Sequence, residues 1–202
     1  MKIVHVETLL SCGTYAESAN WAKTRKSIHS AVKKCVWPPG TKKFTIFPES
    51  GKKRGEGNGV GPIKTEFMNQ LRKNEWTLEG AAKNSVGQGL GDFDAVIAGP
   101  DGPVVVEWET GNISSSHRSM NKLTMLVSDG VIAPGTLVVP SRKLYIYLTD
   151  RIGNYRELEP YLKLWKCVPC KKGVLEIIVI EHDAVSRNVP RIPKSTGGRA
   201  LA

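Results

Sequence analysis

The sequence predicts an α/β or α+β protein organised around a central β-sheet. Three observations carry that expectation. β-type runs recur at 43–47, 94–98, 104–109, 135–140 and 174–181, helical periodicities lie between them, and proline- and glycine-rich punctuation separates the two. With 202 residues, 40% hydrophobic and 24% charged, the chain suits one domain over 1–202 with a substantial core.

The charge balance narrows the partners. Lysine and arginine number 29 against 19 acids, a net charge of +10. Such an excess points to a polyanion, nucleic acid before an anionic membrane, with a merely basic soluble protein as the alternative. No apolar run approaches the roughly 20 residues that span a bilayer, and no signal-peptide pattern opens the chain, so a cytoplasmic location is expected. Cys167 and Cys170 form a lone CxxC without a second pair, which is weak support for a metal or redox site.

In chain order, residues 17–36 read as a helix stopped by Trp37-Pro38-Pro39-Gly40, and a short strand follows at 43–47. Residues 48–61 carry five glycines and two lysines but match neither phosphate-loop pattern, so a mobile loop near phosphates is expected. Pro62 opens a helix with Ile63, Phe67 and Leu71 on one face. The segment 80–91 reads as a flexible glycine-rich loop. Strands at 94–98 and 104–109 are joined by the turn Gly99-Pro100-Asp101-Gly102. A helix at 114–127 repeats Met120, Leu123 and Val127 on one side. Residues 145–150 and 155–164 read as helical with a break at 151–154, and the tail from Arg187 is rich in proline, glycine and lysine.

The turn sets a register. With Pro100 and Asp101 at its centre, Asp94 falls opposite Glu107, while Glu107 and Glu109 share a face with Val105. Three carboxylates on one patch of sheet repel one another and need a counter-charge. A hard divalent cation such as Mg²⁺ meets that need with oxygen ligands; a lysine pairing with Glu107 or Glu109 across the sheet is the competing account. Metal-bound carboxylates in a basic protein suggest phosphodiester hydrolysis, with one carboxylate free to take a proton from water. Behind them the chain turns polar. Asn112, Ser114 and Arg118 gather at a helix start, where capping competes with base-edge reading. His117 reads as structural.

The run from Glu107 to Lys122, EWETGNISSSHRSMNK, closely resembles the BamHI-type type II restriction endonucleases. So do Tyr147-Leu148-Thr149-Asp150-Arg151, Glu157-Leu158-Glu159-Pro160-Tyr161, Asn188-Val189-Pro190, Ile192-Pro193-Lys194, Gly57-Asn58-Gly59-Val60 and Pro62-Ile63-Lys64. The resemblance implies a central mixed β-sheet flanked by helices of the PD-(D/E)xK type, a homodimer, and Mg²⁺-dependent cleavage of both strands of a palindromic double-stranded DNA site, GGATCC. It implies that Asp94, Glu107 and Glu79 bind metal with the Trp108 carbonyl. Glu109, standing where most relatives of the fold carry lysine, is implied as general base. Glu79 could equally be a surface helical glutamate.

The same resemblance makes Asn112, Ser114, Arg118, Asp150 and Arg151 major-groove readers and places Lys64 near the outer part of the site. It also implies a companion DNA methyltransferase. Gly197 stands where the family carries an aspartate that enters the minor groove, and the chain lacks the archetype's basic C-terminal extension, as in shorter members. Residues 114–127 and 154–164 are the expected dimer surface. The alternative from another class is a sequence-specific DNA-binding protein of the same fold, with different specificity or impaired catalysis.

Overall fold

Two strands that are buried along their whole length form the centre of the sheet. These are β6 (Pro134–Pro140) and β7 (Gly173–Glu181). Near-continuous apolar sequence is what a strand covered on both faces requires, and β6 and β7 pair in parallel. Parallel to β6 on its other side lies β5 (Val104–Trp108), followed by antiparallel β4 (Gly89–Ile97) and β3 (Thr77–Lys83). The opposite edge is β1 (Lys2–Cys12), antiparallel to β7, giving the order β1-β7-β6-β5-β4-β3. This is the central mixed sheet that the family resemblance implies. The computed structural model describes residues 1–53, 55–83, 86–87 and 89–194; Gly197 and its neighbours lie outside them.

Helices cover both faces. On one, α1 (Ala19–Lys34) and α2 (Gly61–Arg72) bring Ile28, Val32, Ile63, Phe67 and Leu71 against Val104, Val106 and Trp108, and the Phe67 and Trp108 rings lie 4.6 Å apart. On the other, α3 (Ile113–Ser128) packs Met120, Leu123, Leu126 and Val127 against Val105, Leu137 and Ile177. The alternation along β5 thus sends even positions to one core and odd positions to the other, as period-2 geometry demands. A small parallel pair, β2 (Thr45–Ile46) with β8 (Ala184–Val185), lies outside the main sheet. Among the described residues no helix is long and apolar enough to cross a membrane.

Several elements differ from the sequence reading. β1 is an added edge strand whose alternation is broken by register shifts after Ile3 and Thr8, so its period is poorly visible in sequence. Helix α4 (Arg142–Tyr145) starts earlier than expected because Ser141 Oγ accepts from the Leu144 N–H. The backbone then leaves the helix and bridges Asn58 at Leu148, so 146–150 are not helical. The 155–164 helix divides into α5 (Tyr155–Leu158), a 3₁₀ turn carrying Pro160, and α6 (Leu162–Lys166).

Much of 80–91, expected as a loop, is strand, while residues 84, 85 and 88 lie outside the description. The described part of 48–61 is hydrogen-bonded into the body rather than loose: Gly51 N–H donates to Ile146 O and Asn58 N–H to Tyr147 O. In the CxxC segment, burial and the neighbouring Cys12 on β1 push the Cys170 thiol up to about 12, and all four cysteines are free.

Candidate active site

The β4–β5 hairpin builds the site. Its turn closes with Gly102 N–H donating to Gly99 O, and Ala95, Val96 and Ile97 pair with Val106, Val105 and Val104. That is the register read from the turn residues. One step beyond the last pair, Asp94 N–H donates to Glu107 Oε2 at 3.2 Å, and Trp108 N–H donates to Asp94 Oδ2 at 2.8 Å. Glu107 is only 5% exposed. Glu109 leaves the end of β5 into the same cleft, of about 400 Å³, which Asp94 and Glu107 also line.

Two lysines meet these acids. Lys64 Nζ, from α2, lies 2.6 Å from Asp94 Oδ1, and Lys122 Nζ, from α3, lies 2.9 Å from Glu107 Oε1. Lys122 also stands 4.1 Å above the Phe93 ring. Ser119 Oγ, one turn before Lys122, donates to Glu109 Oε1 at 2.7 Å and sits 3.4 Å from Glu107 Oε1. Sequence reasoning missed Ser119 and Lys122 as site residues. The spacing of Lys122, three residues after Ser119 and four after Arg118, was the available signal, but only packing aims that side of α3 at the hairpin.

Burial pushes the Glu107 carboxyl above the ordinary glutamate range, Asp94 adds to the rise, and Lys122 opposes it. Burial also raises Glu109; the Ser119 hydrogen bond opposes this and Asp94 reinforces it. Carboxyl groups held so are poised to gain a cation or a proton. The described residues contain no group of three His, Cys, Asp or Glu side chains gathered to hold an ion as they stand. The competing account placed a lysine across the sheet; the lysines that pair with Asp94 and Glu107 come instead from the flanking helices α2 and α3. The donor chemistry nonetheless fits Mg²⁺. Two all-oxygen carboxylates already accept cationic groups, and Mg²⁺ keeps several waters and needs few protein ligands.

Glu79 is on strand β3, not a helix. It lies between Leu78, which pairs with Ala95, and Gly80, which pairs with Phe93, and so stands level with Asp94. Its φ of 53° breaks the strand's alternation, its side chain is exposed, and it is not among the cleft-lining residues. The Trp108 ring is buried in the α1–α2 core, while its backbone runs beside Asp94.

Of the expected readers, Asn112 and Arg118 line the same cleft, whereas Ser114, Asp150 and Arg151 are not among its lining residues. Asn112 caps α3, its Oδ1 accepting from Ser115 N–H at 3.0 Å, so capping and an exposed position coexist. Ser114 and Arg118 are exposed on the first two turns. The loop bearing Asp150 and Arg151 is tied to this helix start by Gly153 N–H, which donates to Gly111 O at 2.7 Å. Arg151 holds φ 67°, with a side chain 85% exposed and Nε 3.7 Å from Asp150 Oδ2. Lys64, expected near the outer part of the DNA site, lines the cleft and pairs with Asp94. His117 packs edge-on against Tyr161 at 4.6 Å.

The mixed sheet flanked by helices is a fold shared with restriction endonucleases. Solved structures of the same fold include restriction endonuclease BglII complexed with a DNA 16-mer. It matches with a TM-score of 0.64 and 11% identity over 91% of this chain and 79% of that one. Free BglII matches at 0.53, with 10% identity over 91% of this chain and 81% of that one.

Sequence relatives narrow the class to a family. The model of the family "Restriction endonuclease BamHI" matches residues 1–199. The chain is 42% identical over 201 residues to the type II restriction enzyme OkrAI of Oceanobacter kriegii, covering 100% of both chains. It is 34% identical to the type II restriction enzyme BamHI of Bacillus amyloliquefaciens, over 81% of this chain and 76% of that one. The chain belongs to the BamHI restriction endonuclease family.

Proposed function

We propose that this protein is a type II restriction endonuclease of one domain. It hydrolyses a phosphodiester bond in each strand of a palindromic double-stranded DNA site, GGATCC, with Mg²⁺ and as a homodimer. The observation that carries this reading is the joining of one acidic cleft to one polar helix start. Asp94, Glu107 and Glu109 line the same hollow as Asn112 and Arg118, so a bound base step would hold its phosphate over the acids.

Asp94 and Glu107 would hold the ion, with the Trp108 carbonyl and Glu79 as further ligands. Bound Mg²⁺ would supply Lewis acidity and charge neutralisation at the phosphate. Glu109, kept protonatable by burial and oriented by Ser119, takes the proton of the attacking water. Arg118, Arg151, Asp150, Asn112 and Ser114 would read base edges, Asn112 and arginine being suited to adenine and guanine. Lys64 would exchange Asp94 for DNA phosphate as the complex forms. A methyltransferase protecting the host site would accompany such an enzyme.

The dimer surface we assign to α3 and the α5–α6 segment. Leu164 is 65% exposed and Met125 36%, around a shallow groove that Asn121 and Trp165 also line, and Tyr161, 44% exposed, lies just before α6. A two-fold axis there would match a palindrome.

One observation favours a second reading, a DNA-binding protein with impaired catalysis: lysines already occupy Asp94 and Glu107. Plasmid digestion with Mg²⁺, followed by sequencing of the cut ends, separates the two. Defined ends at GGATCC, lost in Glu107→Ala, support the endonuclease. Intact plasmid with the wild-type chain, or full cleavage by Glu107→Ala, refutes it.

A further inference from the structure

The glycine-rich stretch before α2 has a specific structural product. Its Asn58 is fully buried and joins three segments that are far apart in sequence. The Asn58 side-chain amide donates to Phe47 O at 2.9 Å and to Tyr147 O at 2.8 Å, while Oδ1 accepts from Ile192 N–H at 3.1 Å. Its backbone adds N–H to Tyr147 O and accepts from Thr149 N–H, both at 2.8 Å. Thr149 immediately precedes Asp150 and Arg151.

The neighbouring glycines make this contact possible. A Cβ on Gly51 would lie 1.5 Å from Leu148 O, and one on Gly59 would lie 2.0 Å from Pro193 O, so only hydrogen fits at either place. The C-terminal strand of chain is held to the same body. Trp37 Nε1 donates to Pro190 O, Arg191 pairs with Glu49, Glu49 accepts from Gly57 N–H, and Gly59 N–H donates to Ile192 O.

We propose that Asn58 is a specificity-positioning residue: its buried amide clamps the near end of the Asp150–Arg151 loop and ties it to the 190–194 segment. The far end of the loop is held by Gly153 on Gly111, beside the α3 start. With both ends fixed, Arg151 can present its exposed guanidinium from a left-handed backbone in one defined position. Recognition by hydrogen bonds tolerates little misplacement, so the clamp converts a surface loop into a reading edge. This inference rests on the reading of Asp150 and Arg151 as base contacts.

The test uses the full-length chain with Ca²⁺ in place of Mg²⁺, binding a GGATCC duplex and a duplex with the site scrambled. Asn58→Ala removes all three side-chain bonds. Asn58→Asp keeps the acceptor for Ile192 but turns a carboxylate oxygen toward two carbonyl oxygens, so the folding of each variant is verified by thermal unfolding and near-UV circular dichroism. It loses the two donors to Phe47 and Tyr147. Both variants should lower the ratio of cognate to scrambled affinity by about tenfold or more, with scrambled affinity unchanged. Equal loss on both duplexes, or an unchanged ratio in Asn58→Asp, overturns the proposal when the control Arg151→Ala does lower the ratio. If Arg151→Ala itself leaves the ratio unchanged, the base-reading assignment fails instead, and that failure is visible independently of Asn58.

Discussion

The Lys122 ammonium stands 2.9 Å from Glu107 Oε1, at the floor of the cleft and against the Phe93 ring. A helix thus supplies from inside the protein the positive charge that a buried hairpin carboxylate requires. Asp94 obtains the same from Lys64 on the opposite flank. Buried acids can therefore persist in the metal-free fold, and a cation that enters must compete with two ammonium groups.

Lys122→Met leaves Glu107 buried without its partner. The metal-free variant should lose about 1–3 kcal/mol, the cost of an unpaired buried group, and part of that should return on adding Mg²⁺. Thermal unfolding in EDTA and in Mg²⁺, with titration calorimetry of Mg²⁺ binding, reads both effects. A variant as stable as wild type in EDTA would show that the ion pair contributes nothing.

Glu109→Gln removes the proposed proton acceptor while keeping an oxygen for Ser119 to donate to. Single-turnover cleavage should fall by roughly 10²–10⁴-fold, and affinity for the GGATCC duplex should stay within about threefold, as for a group outside the base contacts. Rapid-quench kinetics beside a binding titration checks the separation. Equal losses in both would make Glu109 a binding residue.

Leu164→Glu places a charge in the groove beside Met125 and Trp165. Sedimentation should show a shift from dimer to monomer, and plasmid cleavage should shift from linear product toward slow nicking. A variant that remains dimeric moves the interface elsewhere on the molecule.

His29 on α1 titrates at about 4, because burial and then the charges of Arg25 and Lys33 disfavour its protonation. The unfolded chain binds this proton near pH 6.5 and the folded chain does not. Stability is therefore full above about pH 6.5 and is lost progressively as pH falls toward about 4. His29→Phe should flatten that part of the stability–pH curve, measured by urea unfolding between pH 7 and 4.5. An unchanged slope would assign it to other groups.

How much of this was legible follows from the range of each interaction. The β4–β5 register could be read because the turn and the alternation lie within some fifteen residues, and a period of two leaves only two choices of face. The start of α2 at Gly61-Pro62 and the N-cap at Asn112 were equally local. The β1 strand was not legible, because two bulges erase its period. Glu79 could not be placed, since the turn that ends α2 and the strand beyond it resemble an extended helix pattern until β4 supplies the pairing. Residues 146–150 mimic a helix until Asn58 takes their hydrogen bonds.

By itself, the sequence determined a central sheet with helices between its strands, the opposition of Asp94 and Glu107, and the polar helix start that follows them. Those are products of chain-local geometry and turn chemistry. Only the tertiary structure decided that Lys64 and Lys122 neutralise the acids, that Ser119 links Glu107 to Glu109, and that Asn58 clamps Tyr147 and Ile192. Each of these joins atoms contributed by separate elements, and a partner chosen by proximity in space leaves no fixed spacing along the chain.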